Sequence, residues 1–296
     1  MGKTTNIQSF AVARLFSPSI VGELARKGYS PLFSRLLIES NLLKQVCKTM
    51  RVYNLFEEAF EWLKCKSYRH EYSYKAALTN QVLLGKHSLQ DASMLTELRV
   101  DHCRADLVIL NGTSTVYEIK SERDSLDRLP KQIKAFREVF ANVNVIVGEN
   151  HIQAVLDMID QDIGVMCLSD KYEIEIIQES RNRASQTNPV SMFDTIRMRE
   201  SELLLNDLGI SVPDVPNTRK YQVLRTCFID LDPVNVHDSM VRTLLKTRCL
   251  KPLDSLIKRL PSSLHSVVLS MRLRKKDYSQ LVESMQTSIS KAITWA

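Results

Sequence analysis

The chain has 296 residues, of which 44% are apolar and 25% charged, with a formal net charge of +6. That apolar content is enough for a large buried core and excludes a disordered tail. No run nears the roughly 18 apolar residues of a membrane span, and the start MGKTTNIQSFAVARLF lacks a secretory leader's apolar stretch and cleavage site, so a soluble, cytoplasmic protein is expected.

From Ser17 to about Leu63 apolar residues recur at helical spacing, at Leu36, Leu37, Leu42, Leu43, Val46, Leu55, Phe56, Phe60 and Leu63. Pro18 and Pro31 mark helix starts, and Phe56, Phe60 and Trp62 are assigned to the core. A helix is predicted over 69–84 with Gly85 closing it. Strands follow at 94–101, 104–110 and 114–120; on the first, alternation puts Leu95, Glu97 and Arg99 on one face. Leu129, Ile133, Phe136 and Phe140 define an amphipathic helix, and VNVIVG at 143–148 reads as a buried strand. A helix at 151–160 and two apolar runs, IGVMCLS and YEIEIIQ, extend the mixed sheet to about 178. The polar stretch 179–190 reads as a linker, with a mostly helical region beyond it. Three consecutive regions result: an N-terminal helical region (1–66), a core (67–180) and a C-terminal, mostly helical basic region (190–296).

The last 56 residues hold eleven Lys and Arg against three acids, a net charge of +8, which suits a polyanion or a solvated helix face. The six cysteines show no C-x-x-C and no repeated spacing, so they are assigned as buried thiols rather than a zinc site or disulfides. Gly2-Lys3-Thr4 has no upstream strand and no preceding glycine, so it is not a phosphate-binding loop.

Chemistry concentrates in ADLVILNGTSTVYEIK (105–120). Side chains two apart on a strand share a face, so Glu118 and Lys120 project together. Asp106 opposes Glu118 if paired residue numbers sum to 224, which centres the turn on Gly112 and requires the odd loop Asn111-Gly112-Thr113. An even loop would send the two carboxylates to opposite faces. In the first register Asp106, Glu118 and Lys120 form one polar cluster at the end of an apolar sheet. Close carboxylates bind a proton or a cation, and an all-oxygen set including the Ile119 carbonyl suits Mg²⁺ or Mn²⁺. Lys120 is then placed to assist a water or to neutralise a phosphate oxygen. A plain Glu118–Lys120 salt bridge on an exposed edge is the alternative.

RADLVILNGTSTVYEIK resembles the signature of the PD-(D/E)XK nuclease superfamily, with Ala105 where the family name has proline. The resemblance covers roughly 69–148, and the longer pattern RHEYSYK, ELRVDHCRADLVI, YEIKSERDSLDRLPKQI and LRKKDY is similar to an uncharacterised bacterial and phage family of predicted nucleases. It implies an α/β fold with a restriction-endonuclease-like α-β-β-β-α-β core flanked by helical regions. It also implies Asp106 and Glu118 as metal ligands, Lys120 as the catalytic lysine, Glu71 on the first core helix as an acid holding metal or water, and Gln132 close to the site. Glu97 is a further candidate ligand, ranked below Glu71. Arg123 and Arg128 beside the site, with Arg274, Lys275 and Lys276 near the C-terminus, are candidate nucleic-acid contacts. The expected activity is divalent-metal-dependent hydrolysis of phosphodiesters, in DNA rather than RNA, in phage defence or DNA processing. No membrane partner is expected, and a homodimer or a protein partner stays open. The alternatives are a non-cleaving nucleic-acid-binding or protein-interaction module on the same fold, and a phosphodiesterase acting on nucleotides.

Overall fold

The computed structural model describes residues 10–40, 47 and 49–295. The MGKTT start and the helical positions Leu42, Leu43 and Val46 lie outside the described residues. Two compact units emerge, one formed within 1–85, 170–173 and 252–296, the other by 86–169 and 174–251. This differs from three consecutive regions: the helix that opens the expected core falls in the first unit and its strands in the second.

The second unit is built on a six-stranded sheet in chain order, β1 (Ser93–Val100), β2 (Cys103–Leu110), β3 (Ser114–Lys120), β4 (Asn142–Val147), β5 (Gly164–Leu168) and β6 (Ile174–Gln178). β1, β2 and β3 are antiparallel neighbours; β4 and β5 join in parallel; β6 returns antiparallel. The parallel steps follow from the crossovers, since the Leu129–Arg137 helix separates β3 from β4 and the Ile152–Leu156 helix separates β4 from β5. The latter is shorter than the expected 151–160 helix. Val108, Leu110, Val116, Val143, Val145 and Val147 form a core with Leu129, Ile133 and Phe136 of the first crossover helix. Phe140, beyond that helix's end, is buried in the same core.

The stretch expected as a linker belongs to this unit. Arg181, Arg183 and Asn188 donate their backbone N–H groups to Asp162, Ala141 and Glu138, and Thr187 is buried. Polar composition signalled a loop, but its backbone donors are spent inside the unit. The following helices, Pro189–Thr195, Met198–Asp207, Asn217–Cys227 and Pro233–Thr247, add Phe193, Leu204, Leu224 and Met240 to the core.

In the first unit the Pro18–Lys27 and Pro31–Glu39 helices each carry proline in their first turn, where its missing N–H costs nothing. Phe16, Phe56, Phe60 and Tyr72 pack ring to ring with centroids 5.0–6.2 Å apart. Tyr172 joins them at 5.7 Å from Phe60. Phe56 and Phe60 are buried as expected, and Trp62 is half-buried. The Glu71–Ala77 helix widens into a π turn over Leu78–Leu83 and runs on through Leu84–Lys86. Gly85 therefore does not close it. A Cβ there would stand 3.0 Å from the Asn80 carbonyl oxygen, so glycine answers the close backbone approach in the widened turn.

Candidate active site

The β2–β3 hairpin sets the geometry. Its pairs run from Leu110↔Ser114 to Leu107↔Tyr117, so partner numbers sum to 224. The loop is Asn111-Gly112-Thr113, with Gly112 left-handed at φ 86° and the Asn111 amide donating to the Thr113 carbonyl at 3.1 Å. The next rung would pair Asp106 with Glu118. There the Asp106 carboxylate intervenes, with Oδ2 accepting the Ile119 amide at 2.8 Å.

Glu118 lies in the alternation of Val116 and Lys120, toward the crossover helix. Its burial is nearly complete, at 1% exposure, and that of Lys120 close to it, at 8%. Lys120 Nζ donates to Glu118 Oε1 at 2.8 Å and to Gln132 Oε1 at 3.0 Å, and Gln132 Nε2 donates to the same Glu118 oxygen. Gln132 is delivered by the Leu129–Arg137 helix, whose Leu129, Ile133 and Phe136 bind it to the sheet. The expected salt bridge exists, but in the interior rather than on an exposed edge.

β1 departs from its expected alternation. Glu97 has φ 53°, a left-handed backbone at a non-glycine residue inside a strand. The ladder has pairs at Thr96↔Leu107 and Leu98↔Ala105 and none between them. Leu95 before the break and Leu98 and Val100 after it all reach the same core, so Leu95, Glu97 and Arg99 do not share a face. The positive φ turns the strand by half a pleat and re-aims Glu97, bringing a carboxylate oxygen to within 4.8 Å of one on Asp106.

Glu97, Asp106, Glu118, Ile119, Lys120 and Gln132 thus occupy one end of the sheet in the second unit. Glu71 belongs to the first unit, in the first turn of its helix, and pairs with Lys75 at 2.5 Å. Arg123 and Arg128 are exposed between β3 and the crossover helix. Asp124 ties that segment by accepting the Ser121 amide at 2.8 Å and its hydroxyl at 2.6 Å. Arg274, Lys275 and Lys276 are exposed in the first unit.

Sequence reasoning missed a pocket of about 500 Å³ bordered by Val100, Cys103, Lys131 and Lys134, on the flank of the same crossover helix. Burial pushes the Cys103 thiol up, with the Lys131 charge opposing and the Asp101 and Glu118 charges adding to the rise. The adjacency of Lys131 to Gln132 is the one signal that could have pointed there. All six cysteines are free thiols, and Cys47, Cys65 and Cys249 are exposed rather than buried. Among the described residues no helix is long and apolar enough to cross a membrane.

Fold and site together define a mixed α/β protein with a six-stranded mixed sheet, flanking helices and a charged cluster at the sheet's end. The chain belongs to the bacteriophage P4 protein cII family, whose profile matches residues 64–275. Protein cII of Enterobacteria phage P4 is 33% identical over 134 residues, 44% of this chain and 50% of that protein. The chain thus spans about half the length of this curated relative. Among solved structures, a protein of unknown function, SPO1766 from Silicibacter pomeroyi, aligns at 16% identity over 42% of this chain and 86% of its own. Its TM-score of 0.28 carries no argument.

Proposed function

We propose that this protein is a divalent-metal-dependent phosphodiesterase of the PD-(D/E)XK type, with DNA as its substrate. The observation that carries the reading is the 224 register with the Asp106 carboxylate set into the ladder at Ile119, one residue from the buried Glu118–Lys120–Gln132 cluster. An order of helix, three antiparallel strands, crossover helix and parallel strand accompanies it.

The donor set fits a hard cation. Glu97 and Asp106 offer carboxylate oxygens within 4.8 Å of one another; opposite ligands of Mg²⁺ stand about 4.2 Å apart, so small side-chain movements suffice. Asp106, Glu97, Glu118 and the Ile119 carbonyl would hold the ion. When bound, Mg²⁺ or Mn²⁺ supplies a Lewis acid for the phosphoryl oxygen and acidifies a water. Lys120 holds a positive charge where water is scarce, so its pull on a developing oxyanion is strong. Gln132 orients that ammonium by accepting from it. Glu118 fixes its position and screens it until substrate arrives.

The test is digestion of plasmid, linear duplex, single-stranded DNA and RNA with Mg²⁺, Mn²⁺ or EDTA, beside Lys120→Ala. The expected result is metal-dependent cleavage, reduced about 10²–10³-fold in the variant. Calorimetric Mn²⁺ binding, weakened in Asp106→Ala, gives a readout separate from turnover. Cleavage that persists in EDTA or in Lys120→Ala rules the mechanism out.

The closed contact of Glu118 with Lys120 and Gln132 favours a second reading, a binding module in which these groups only hold the crossover helix to the sheet. Nucleic-acid binding without cleavage of any substrate, and without Mn²⁺ affinity, would select it.

A further inference from the structure

The first unit brings two stretches remote in sequence to one corner. The Pro18–Lys27 helix ends on exposed Arg26 and Lys27, Gly28 turns the chain at φ 79°, and exposed Tyr29 follows. The Tyr278–Met285 helix packs against it. The segment leading into that second helix carries exposed Arg272, Arg274, Lys275 and Lys276. Contacts between the stretches fix their adjacency. A Cβ on Gly22 would lie 3.1 Å from Arg26 Nη1 and 3.4 Å from Met271 Cε, and one on Gly28 would strike Gln280. The Arg274 hydrogen bonds, then the Arg274, Lys276 and Arg26 charges, hold the Asp277 carboxyl below the usual range.

We propose that this corner is a second nucleic-acid contact, a sequence-independent surface for the phosphodiester backbone formed jointly by Arg26, Lys27, Arg272, Lys275 and Lys276. On the two stretches 18–29 and 271–280, six cations counting Arg274 stand against two carboxylates, Glu23 and Asp277, and both carboxylates are engaged. Glu23 accepts from Ser30 at 2.6 Å and pairs with Lys27 at 3.5 Å. Asp277 is buried and accepts Arg274 Nε at 2.8 Å and Nη2 at 3.1 Å, which makes Arg274 a positioning residue.

Basic residues in a helix's last turn are commonly there to offset the helix dipole. That accounts for Arg26 and Lys27 alone and leaves unexplained why four more cations from the far end of the chain arrive beside them. The chain is extended at Met271 (φ −100°, ψ 153°) and at Arg274 (φ −83°, ψ 142°). Five exposed cations spread over two stretches suit successive charges of a linear polyanion better than one phosphate. Tyr29, 45% exposed, offers a ring face for a base.

The proposal rests on the nuclease reading only in its choice of polyanion, and its test is separate. Fluorescence anisotropy with labelled single-stranded and duplex DNA, titrated from 50 to 200 mM salt, compares the wild type with Arg272→Ala/Lys275→Ala/Lys276→Ala. Three lost phosphate contacts should flatten the salt dependence so that the wild type loses roughly 20- to 40-fold more affinity over that range than the variant. Arg26→Ala/Lys27→Ala should flatten it by about two contacts. All five exchanged cations are exposed, and an unchanged thermal melt verifies folding. Equal salt slopes in wild type and both variants would overturn the proposal, as would wild-type binding to anionic phospholipid vesicles with none to DNA. Loss of cleavage in every protein with the binding differences intact would sink the nuclease reading alone.

Discussion

The two ends of β3 bury polar groups in different ways. At its start, Ser114 Oγ accepts the Ala141 amide at 3.1 Å and bonds His237 Nε2 at 2.9 Å. His237 Nδ1 meets Asp238 Oδ1 at 2.9 Å. Asp, His and Ser in that order are the parts of a hydrolase triad. Here Ser114 is fully buried, His237 is 1% exposed, and the Ser114 oxygen already holds a backbone donor. It is a clamp between β3 and the Pro233–Thr247 helix whose groups satisfy one another, with the Asp238 carboxylate half exposed at its outer end. At the other end, Glu118 and Lys120 bury a carboxylate and an ammonium, for which the loss of water commonly outweighs the attraction. Folding explains the first end. The second is costly for folding alone, a cost that the proposed chemistry would account for.

The largest expected effect separates these accounts. Lys120→Met leaves Glu118 buried without its cation and should cost about 3–5 kcal/mol in urea unfolding. The double variant Glu118→Leu/Lys120→Met should recover that loss, ending equal to the wild type or about 1–4 kcal/mol above it, with cleavage abolished. A double variant as unstable as the single one would make the pair structural. At the opposite end, His237→Ala should cost about 2–4 kcal/mol through the cavity and the orphaned Ser114 hydroxyl. Mn²⁺ affinity and cleavage should be unchanged in that variant; loss of cleavage in a folded His237→Ala protein would erase the distinction between the ends.

Which of these features the sequence exposed follows from range. The 224 register was legible because Gly112 fixes a local turn and strand alternation carries that register to Asp106. Lys120 beside Glu118 follows from the same alternation. Gln132 came from resemblance, since twelve residues and a loop separate it from Lys120. The Ser114–His237 bond spans 123 positions and no periodicity marks it. The first unit was hidden for the same reason, because Phe16, Phe60 and Tyr172 meet only after the chain has folded. Glu97 misled in another way. Alternation reads smoothly through it, and only a backbone angle that side-chain patterns do not encode reveals the break.

A second buried ion pair in the same unit refines the contrast through pH. Glu200 is 2% exposed, and its carboxylate takes Arg248 Nε at 2.8 Å and Nη2 at 2.7 Å, the Arg197 amide at 2.8 Å and the Thr247 hydroxyl at 3.1 Å. Burial pushes its carboxyl up, but the bonds from Arg248 and Arg197 and the Arg248 charge more than offset this and hold it below the ordinary range. With the folded value depressed, the pair's stabilisation is whole above about pH 4.3, the unfolded value, and fades as pH falls through the folded one. Glu200→Gln should therefore be less stable than the wild type at pH 7, by less than the Lys120→Met loss, with the gap closing in acid urea titrations. A gap that stays constant down to pH 3 would contradict the assignment.

The smallest effect concerns the broken rung. A left-handed non-glycine residue costs about 1–2 kcal/mol, whereas glycine adds about 0.5–1 kcal/mol of unfolded-chain entropy. Glu97→Gly should leave urea stability unchanged or raise it by up to about 1 kcal/mol. Glu97→Val keeps the strained angle with a stiffer side chain and should lower it. If Glu97 serves the cation site, both variants lose Mn²⁺ affinity although only one loses stability, because the backbone angle and the carboxylate are separate properties of one residue. Equal Mn²⁺ affinity in wild type and Glu97→Gly would return Glu97 to the surface acids and leave the cation to Asp106 and Glu118.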